Sequence, residues 1–523
     1  MQRLVRPALA ALLATTILPS PARADLLSRA LDGSDGGGAP GQQPAQPPPP
    51  ADDLTAWAGA PQPTTLPAIL QLAVQQAPAL AAARIDIAIA EARIEQTRSR
   101  EDWGLTARFN GSRASGFFNG ITIDNSTSLG LSAAVSRLLP TGGTISVQAS
   151  SQYTRTVADA FGENTNWRDE LNVTATQQLL RGRGRWFYEA TERRATIVRD
   201  SSLLAKRLAA ITTVQAIVNA YWDLVLAERQ VAITRASLAL AEERLRITTI
   251  GADGGKIPRS EIPAVRQIIA TREEEVLNGE LLVLDRSIAL RRAGGMPIGK
   301  GALGLRVDAD LAVGDAAFEL GSLTERAFAA SPELAQLARQ DAATHLDIEV
   351  NENGLLPQLE AALTFGPQGQ NEAAGTAAAN LVTLKSLAIS GSLTYTQSLN
   401  RYDVRGRARE LREQRRRLEV TAFDTRAQIA QTMTRAVAQL EAAKRRIALS
   451  QRAIDLATEN IKIESDRFTL GKATNFDVLN RQEELRQAEL RRAQAMIDWH
   501  KAETVVQALT GDLLPGYGIS VDP

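Results

Sequence analysis

Apolar residues recur at intervals of three and four along most of this chain, and the same succession of segments occurs twice, over Leu66–Gly299 and Leu320–Gly511. In the first copy Ile69, Ala73, Leu80, Ala83, Ile87, Ala90 and Ile94 form one helical stripe within Leu66–Arg100. In the second copy Leu323, Ala327, Leu334, Leu337, Ala338, His345 and Ile348 form its counterpart. Pro78 and Pro332 interrupt the stripes after their first turns, which predicts a short helix followed by a long one in each copy. Further on, Leu204, Leu208, Ile211, Val214, Val218, Tyr221 and Val225 keep the three-and-four spacing of a coiled-coil seam. Long helices are expected over Glu189–Thr248 and Arg407–Phe468, with returning runs over Ser260–Ala293 and Asn475–Leu509. The breaks fall at Gly251–Pro258 and at Gly471, and 74 residues separate Gln177 from Gly251 and Gln397 from Gly471 alike. An arm of that kind spans roughly 90 Å at 1.5 Å per residue.

Between the helical segments the period changes to two. Leu105-Ala107-Phe109, Leu171-Val173-Ala175, Leu359-Ala361-Leu363-Phe365 and Leu387-Ile389-Gly391-Leu393-Tyr395 each alternate with polar or small residues, as strands with unlike faces do. The first copy is longer here: Trp103 to Gln177 is 74 residues, Pro357 to Gln397 only 40. The excess of 34 residues holds Leu129-Leu131-Ala133-Val135 and Ile145-Val147-Ala149 around Gly142-Gly143, a β-hairpin. Four strands are expected in copy one and two in copy two. Alternation alone equally describes a soluble sheet with one wet face.

The N-terminus changes the setting. Arg3 and Arg6, the apolar Ala8–Leu18 and Ala22-Arg23-Ala24 read as a secretory signal over 1–24. Residues 25–65, with Pro47 to Pro50 in a row, have the composition of a disordered leader or tether. A linker at 300–319 and a tail at 512–523 complete the domain plan. There is no cysteine, so an exported chain gains neither a disulfide nor a lipid-modified cysteine. Beyond the signal no run of eighteen apolar residues occurs, so membrane passage would need a closed β-barrel.

Several chemistries are disfavoured. The 59 basic and 59 acidic residues balance, which gives no electrostatic case for nucleic acid. His345 and His500 are the only histidines, a poor basis for a metal site, and no nucleophile–base pairing suggests an enzyme. Gly251–Gly255 is glycine-rich but lacks the lysine–serine pair of a phosphate loop, and reads as a hairpin turn. No cofactor is expected. The arginines at 181–185 and 405–417 fit solvated helix starts or contact with anionic headgroups.

Ala220-Tyr221-Trp222-Asp223-Leu224-Val225-Leu226-Ala227, Gln177-Gln178-Leu179-Leu180-Arg181-Gly182 and Gly471-Lys472-Ala473-Thr474-Asn475-Phe476-Asp477-Val478-Leu479-Asn480 resemble the TolC family of outer-membrane efflux proteins. The likeness covers Leu66–Gly511 and rests on order, spacing and duplication rather than on one motif. It implies a mainly α protein with a transmembrane β-barrel portion: a homotrimer whose pooled strands form the barrel and whose helices continue it as a coiled-coil tunnel. It further implies the outer membrane and its lipid as location, with a periplasmic adaptor and an inner-membrane pump or exporter as partners. The function implied is a passive exit duct for drugs, small molecules or polypeptides. If the extra hairpin joins the wall, a trimer has about eighteen strands rather than twelve. The competing expectation is a periplasmic coiled-coil adaptor or scaffold, against which the duplicated hairpins and the strands count.

The resemblance also assigns residues. Asp477 and Asn480 fall where the family has two acidic residues ringing the periplasmic entrance, Asn480 being a departure. Asp477 reads equally as a helix N-terminal acid favoured by the macrodipole. Closure contacts are expected from Glu261, Ser260, Phe468, Lys472 and Arg259. The family's basic and aromatic-hydroxyl partners fall on Ala473 and Phe468, so either Lys472 or Arg259 substitutes or closure relies on packing. Glu261 reads equally as a solvated helix residue.

Overall fold

The structure is a computed structural model that describes residues 63–520, apart from Asn119, Ala160, Phe161, Lys256, 299–303, Asp308 and 315–317. The signal segment 1–24 and nearly all of the leader lie outside these residues. Prolines at N1 start two of the early helices and a proline-linked break precedes each: α1 (Leu66–Gln76) stops at Ala77 before α2 (Pro78–Thr97). Four strands follow, β1 (Gly104–Phe118), β2 (Ile121–Leu138), β3 (Thr144–Ala158) and β4 (Gly162–Gln178). Then come α3 (Arg185–Asp253) and α4 (Glu261–Ala293). The second half repeats the order with α5 (Leu320–Ala330), α6 (Pro332–Asn353), β5 (Gln358–Asn371), a short α7 (Ala374–Val382), β6 (Ser386–Thr396), α8 (Tyr402–Thr469) and α9 (Asn475–Thr510). The long arms contain 69 and 68 residues. Each is therefore roughly 100 Å long.

The six strands make one antiparallel sheet in the order β1-β2-β3-β4-β5-β6, so the additional hairpin of the first copy is part of the same sheet. Paired residues share a face, and the register sorts the faces by chemistry. Leu105, Val135, Val147, Val173, Phe365 and Ile389 pair successively across all six strands. One residue along, Gly104, Ser136, Ser146, Thr174, Thr364 and Ser390 do the same on the other face. The Thr174 and Thr364 hydroxyls lie 3.0 Å apart across the β4–β5 pair. The apolar face is uncovered over much of its area, with Leu105 73%, Phe109 72%, Ile389 66% and Leu393 67% exposed. Its two ends carry amphipathic groups. Arg137 stacks over Trp103 at the end nearer the long helices, and Tyr153 meets Trp167 at 4.9 Å toward the other. Among the described residues, the outer edges of β1 and β6 are unpaired.

The helical body holds two apolar cores. One gathers α1, α2 and α3 around Ile69, Val214, Ile217 and Leu224, with Leu290 of α4 and Ile497 of α9. The other packs Ala327 of α5 against Met433, Leu440 and Ala443 of α8 and Trp499 and Val506 of α9. Helix α9 therefore ties the two copies together. Burying Leu224, Met433 and Leu440 completely stabilises the body by about 1.5–3 kcal/mol each. The Tyr221–Ala227 run is this junction: Trp222 stacks on His500 at 4.1 Å and Asp223 accepts from Lys501 at 2.5 Å.

Two windows, within Leu66–Glu101 and Arg185–Asp253, reach a mean hydropathy of 1.3 and 1.2, enough for a membrane helix by length and composition. Their apolar side chains form the first core, so packing among helices accounts for them.

The structure departs from the sequence reading in four places. The buried side of α6 runs through Ala343, Thr344 and Leu346, while Ala338 and His345 face solvent, because the helix packs on α3 and α8 through that side. The glycine that ends the first arm is Gly255, not Gly251: the helix continues to Asp253, and Gly255 and Gly471 share the left-handed φ, +69° and +71°. Pro63–Thr64, placed in the leader by the sequence, pair in parallel with Arg306–Val307. Described residues of the linker and tail pack on the body. Leu305, Val307 and Leu311 lie on the first core, and Leu513 and Leu514 are buried in it.

Candidate functional site

At the tip remote from the sheet, the α3–α4 and α8–α9 turns lie side by side. Thr474 caps α9: its hydroxyl accepts from the Asp477 N–H at 3.3 Å, and the Asp477 carboxylate accepts from the Thr474 N–H at 2.8 Å. The reciprocal pair is a capping box. The Thr474 N–H and hydroxyl hold the Asp477 carboxyl below the usual carboxylate range. Asp477 is thus an anion fixed in place by its own helix start. Asn480 is exposed one turn on, and both line a surface cleft of about 430 Å³ with Glu464, Arg467, Arg481, Glu483 and Glu484. Arg481 pairs with Glu484 at 2.7 Å.

Contacts between the two turns use Glu261 and Phe468 of the residues the sequence singled out, each with a partner it did not. Buried Asn475 donates to Glu261 at 3.3 Å and accepts from the Thr248 hydroxyl at 3.2 Å, joining α9 to both α4 and α3. Phe468 lies beneath the Arg244 guanidinium, 4.3 Å from ring centroid to carbon, a cation–π contact that needs no hydroxyl on the ring. Arg244 is only 5% exposed, and burial lowers the pKa of its guanidinium. Arg259 turns back to Asp253 of its own loop at 3.5 Å. Lys472 is exposed and contributes its backbone N–H to the Arg467 carbonyl. Ser260 sits at the N-cap of α4 with no side-chain cap bond. Glu261 and Phe468 therefore bridge the turns, and Arg259, Lys472 and Ser260 do not.

Two turns up the helices is a cluster of four charges that the sequence reading missed. Glu483 of α9 accepts from Arg272 of α4 at 2.8 Å and from Arg486 at 2.7 Å, and Glu275 lies 3.4 Å from Arg486. Burial by itself raises the Glu483 carboxyl; hydrogen bonds from Arg486, Arg272 and Gln487 outweigh it and bring the pKa down to about 2. Because the folded value lies below the ordinary 4.5, this stabilisation is complete above that pH and is lost as pH falls from 4.5 toward 2. The expected result is a thermal midpoint that is flat from neutrality to about pH 5 and falls below it, with a shallower fall in Glu483→Gln. Circular dichroism melts across that range measure both.

The other sequence-level candidates have local explanations. Gln177 clamps the β2–β3 turn by donating to the Thr141 carbonyl at 2.9 Å, and Gly182 donates to Asn353 at 2.7 Å. Of the arginine clusters, Arg415 pairs with Asp341 at 2.9 Å and Arg416 with Glu413 at 3.1 Å, a solvated helical collar.

A sheet of six strands stands with two paired arms of 69 and 68 residues, and comparison with solved structures places this fold with outer-membrane channels. The outer-membrane channel OprN superposes with a TM-score of 0.65 at 13% identity, covering 86% of this chain and 90% of that one. The Campylobacter jejuni CmeC outer membrane channel gives 0.63 at 13%, covering 86% of each chain. The Vibrio cholerae outer membrane protein VceC gives 0.61 at 14%, over 86% of this chain and 96% of its own. No protein-family model and no curated protein matches the chain by sequence. At this identity the likeness establishes the fold. The neighbours it brings together are channels rather than enzymes.

Proposed function

We propose that the chain is one third of an outer-membrane channel-tunnel that serves as the exit duct of a tripartite efflux pump or a secretion system. The observation that carries this reading is the two-faced sheet: an apolar row across all six strands on one face, serine and threonine hydroxyls across five of them on the other, and an edge strand on each side with no partner among the described residues. An open, flat apolar face with unpaired edges is an aggregation hazard in water, and closure with further copies in a bilayer removes both problems. The long helices carry the matching signal. Leu449, Leu456, Ile463 and Leu470 are exposed at successive intervals of seven, with 63%, 61%, 49% and 69% of their surface open. A heptad stripe left bare in one chain fits the seam of a coiled coil with another.

Three copies of six strands close a barrel of about eighteen strands. With strands about 4.8 Å apart and tilted about 40°, it is about 36 Å across, against about 24 Å for twelve. The inner face carries serine and threonine hydroxyls together with charges of both signs, Arg108, Arg168, Glu170 and Glu360, and a ring of one sign belongs at the tip. There three Asp477 carboxylates, each held by its capping box, form an anionic ring at the entrance beside Asn480. Passive passage through this duct, with an adaptor and an inner-membrane pump or exporter at the tip, is the function the arrangement fits.

Reconstitution into planar bilayers tests it. Trimeric pores are expected, and a soluble monomer with no conductance defeats the reading. Asp477→Asn is the informative tip variant, since the amide keeps an acceptor for the Thr474 cap while removing the charge. It is expected to weaken block by trivalent cations added on the tip side; unchanged block takes Asp477 out of the ring.

A further inference from the structure

Helix α7, between β5 and β6, has the wrong surface for water. Asn380 donates to the Gln370 carbonyl at 3.4 Å, and Ala377 is fully buried on the side facing the sheet. The exposed surface, Ala374, Gly375, Ala378, Ala379 and Val382, includes Thr376 as its one exposed polar side chain. Val382 is 81% exposed, and Leu384 just beyond the helix is 57% exposed. No charge occurs between Glu372 and Lys385. A helix whose exposed surface is uncharged and almost wholly apolar belongs in a protein interior or a membrane.

The sheet register says which. Gly369 pairs with Asp169 and lies four residues from Phe365 on the same strand, so it belongs to the apolar face. A Cβ at Gly369 would stand 1.9 Å from the Ala377 carbonyl oxygen and 2.7 Å from the Leu381 nitrogen. The backbone of α7 therefore rests directly on the apolar face, at a position only glycine permits. Its height is fixed as well. Asn371 pairs with Trp167, which meets Tyr153, and the exposed Arg155–Glu163 ion pair lies further toward the loops. Aromatic rings followed by charges mark a membrane–water boundary, and α7 lies at or just inside it. It packs over β5 and β4, away from the free β6 edge where another copy would join.

Resting on the reading of the sheet as a barrel wall, we propose that α7 lies in the leaflet farther from the long helices, with its Ala374–Ala378–Val382 face against lipid acyl chains. In that position it also roofs the strand segment bearing Asp169, a carboxylate that would otherwise face hydrocarbon beside Gly369 and Ser151.

The absence of cysteine makes the test direct. Single cysteines replace Val382, Ile389 and Ser390 in turn, and each full-length protein is labelled with an environment-sensitive fluorophore. The trimers are placed in phosphatidylcholine vesicles with or without brominated acyl chains, and iodide serves as the aqueous quencher. Val382→Cys and Ile389→Cys are expected to be quenched severalfold more by brominated lipid than Ser390→Cys, which responds to iodide. Lipid quenching at 389 with only iodide quenching at 382 overturns the placement of α7 and leaves the wall intact. Quenching by neither at 382 means burial against a second copy, and also overturns it. Loss of lipid quenching at 389 overturns the wall itself, and the placement of α7 with it.

Discussion

Ile389→Arg is expected to keep the protein out of the outer membrane, while Ser390→Arg, one residue along the same strand, inserts like the parent. Ile389 belongs to the apolar row through Phe365 and Val173, and Ser390 to the hydroxyl row through Thr364 and Thr174. An arginine on the lipid face near the bilayer midplane costs about 2–4 kcal/mol. Three copies in one barrel bring that to about 6–12 kcal/mol, comparable with the whole stability of an ordinary domain. The same guanidinium on the inner face stays in water. Cell fractionation with heat-modifiable mobility on gels reads the outcome. Equal insertion of the two variants would show that the faces are not lipid and lumen, and the channel reading would fall with them.

The second large effect is expected at the charge cluster that holds α4 to α9. Glu483→Ala leaves Arg272, 8% exposed at its side chain, and Arg486, 16% exposed, without their shared acceptor. Removing one partner of a buried ionic group strands the others, and partial exposure of Glu275 and Glu483 moderates the loss to about 2–3 kcal/mol per chain. The α3–α4 and α8–α9 hairpins should then separate near the tip, raising single-channel conductance severalfold and the sensitivity of the tip to protease. A paired replacement, Arg272→Met with Glu483→Leu, is expected to recover much of the stability, since an apolar pair carries no desolvation cost. If Glu483→Ala leaves conductance unchanged, closure lies with the Arg244–Phe468 and Asn475–Glu261 contacts instead.

The helices were the most legible part of the sequence. Stripes at three and four, breaks at Pro78 and Pro332 and matched separations to the turns place α1 to α4 and α8 to α9 within a few residues. The misplaced α6 stripe shows the limit: Ala338 and His345 fit the period but not the side that packs on the arms. Strand ends were less legible. Polar stretches such as Asn110–Gly116 and Asp124–Ser128 show no apolar alternation, yet they extend β1 and β2 because each supplies the other's backbone hydrogen bonds. At the tip, Asp477 announces itself as a capping acid, and Glu261 by its position six residues after Gly255, as Asp477 follows Gly471. Arg244, Asn475 and the Arg272–Glu483 cluster give no such signal. Arg272 and Glu483 are 211 residues apart, and each has the composition of an ordinary solvated helix around it.

By itself the sequence determined the arms, their length and the existence of six two-faced strands, because helical and strand periodicities are local properties written within a few turns. The tertiary structure alone decided that the extra hairpin joins the same sheet, that the apolar positions of the six strands fall into register, that α7 lies flat on them, and which charges tie the turns together. Those depend on which distant segments become neighbours. Register and packing are chosen by the fit of whole faces, and no single stretch of chain carries that information.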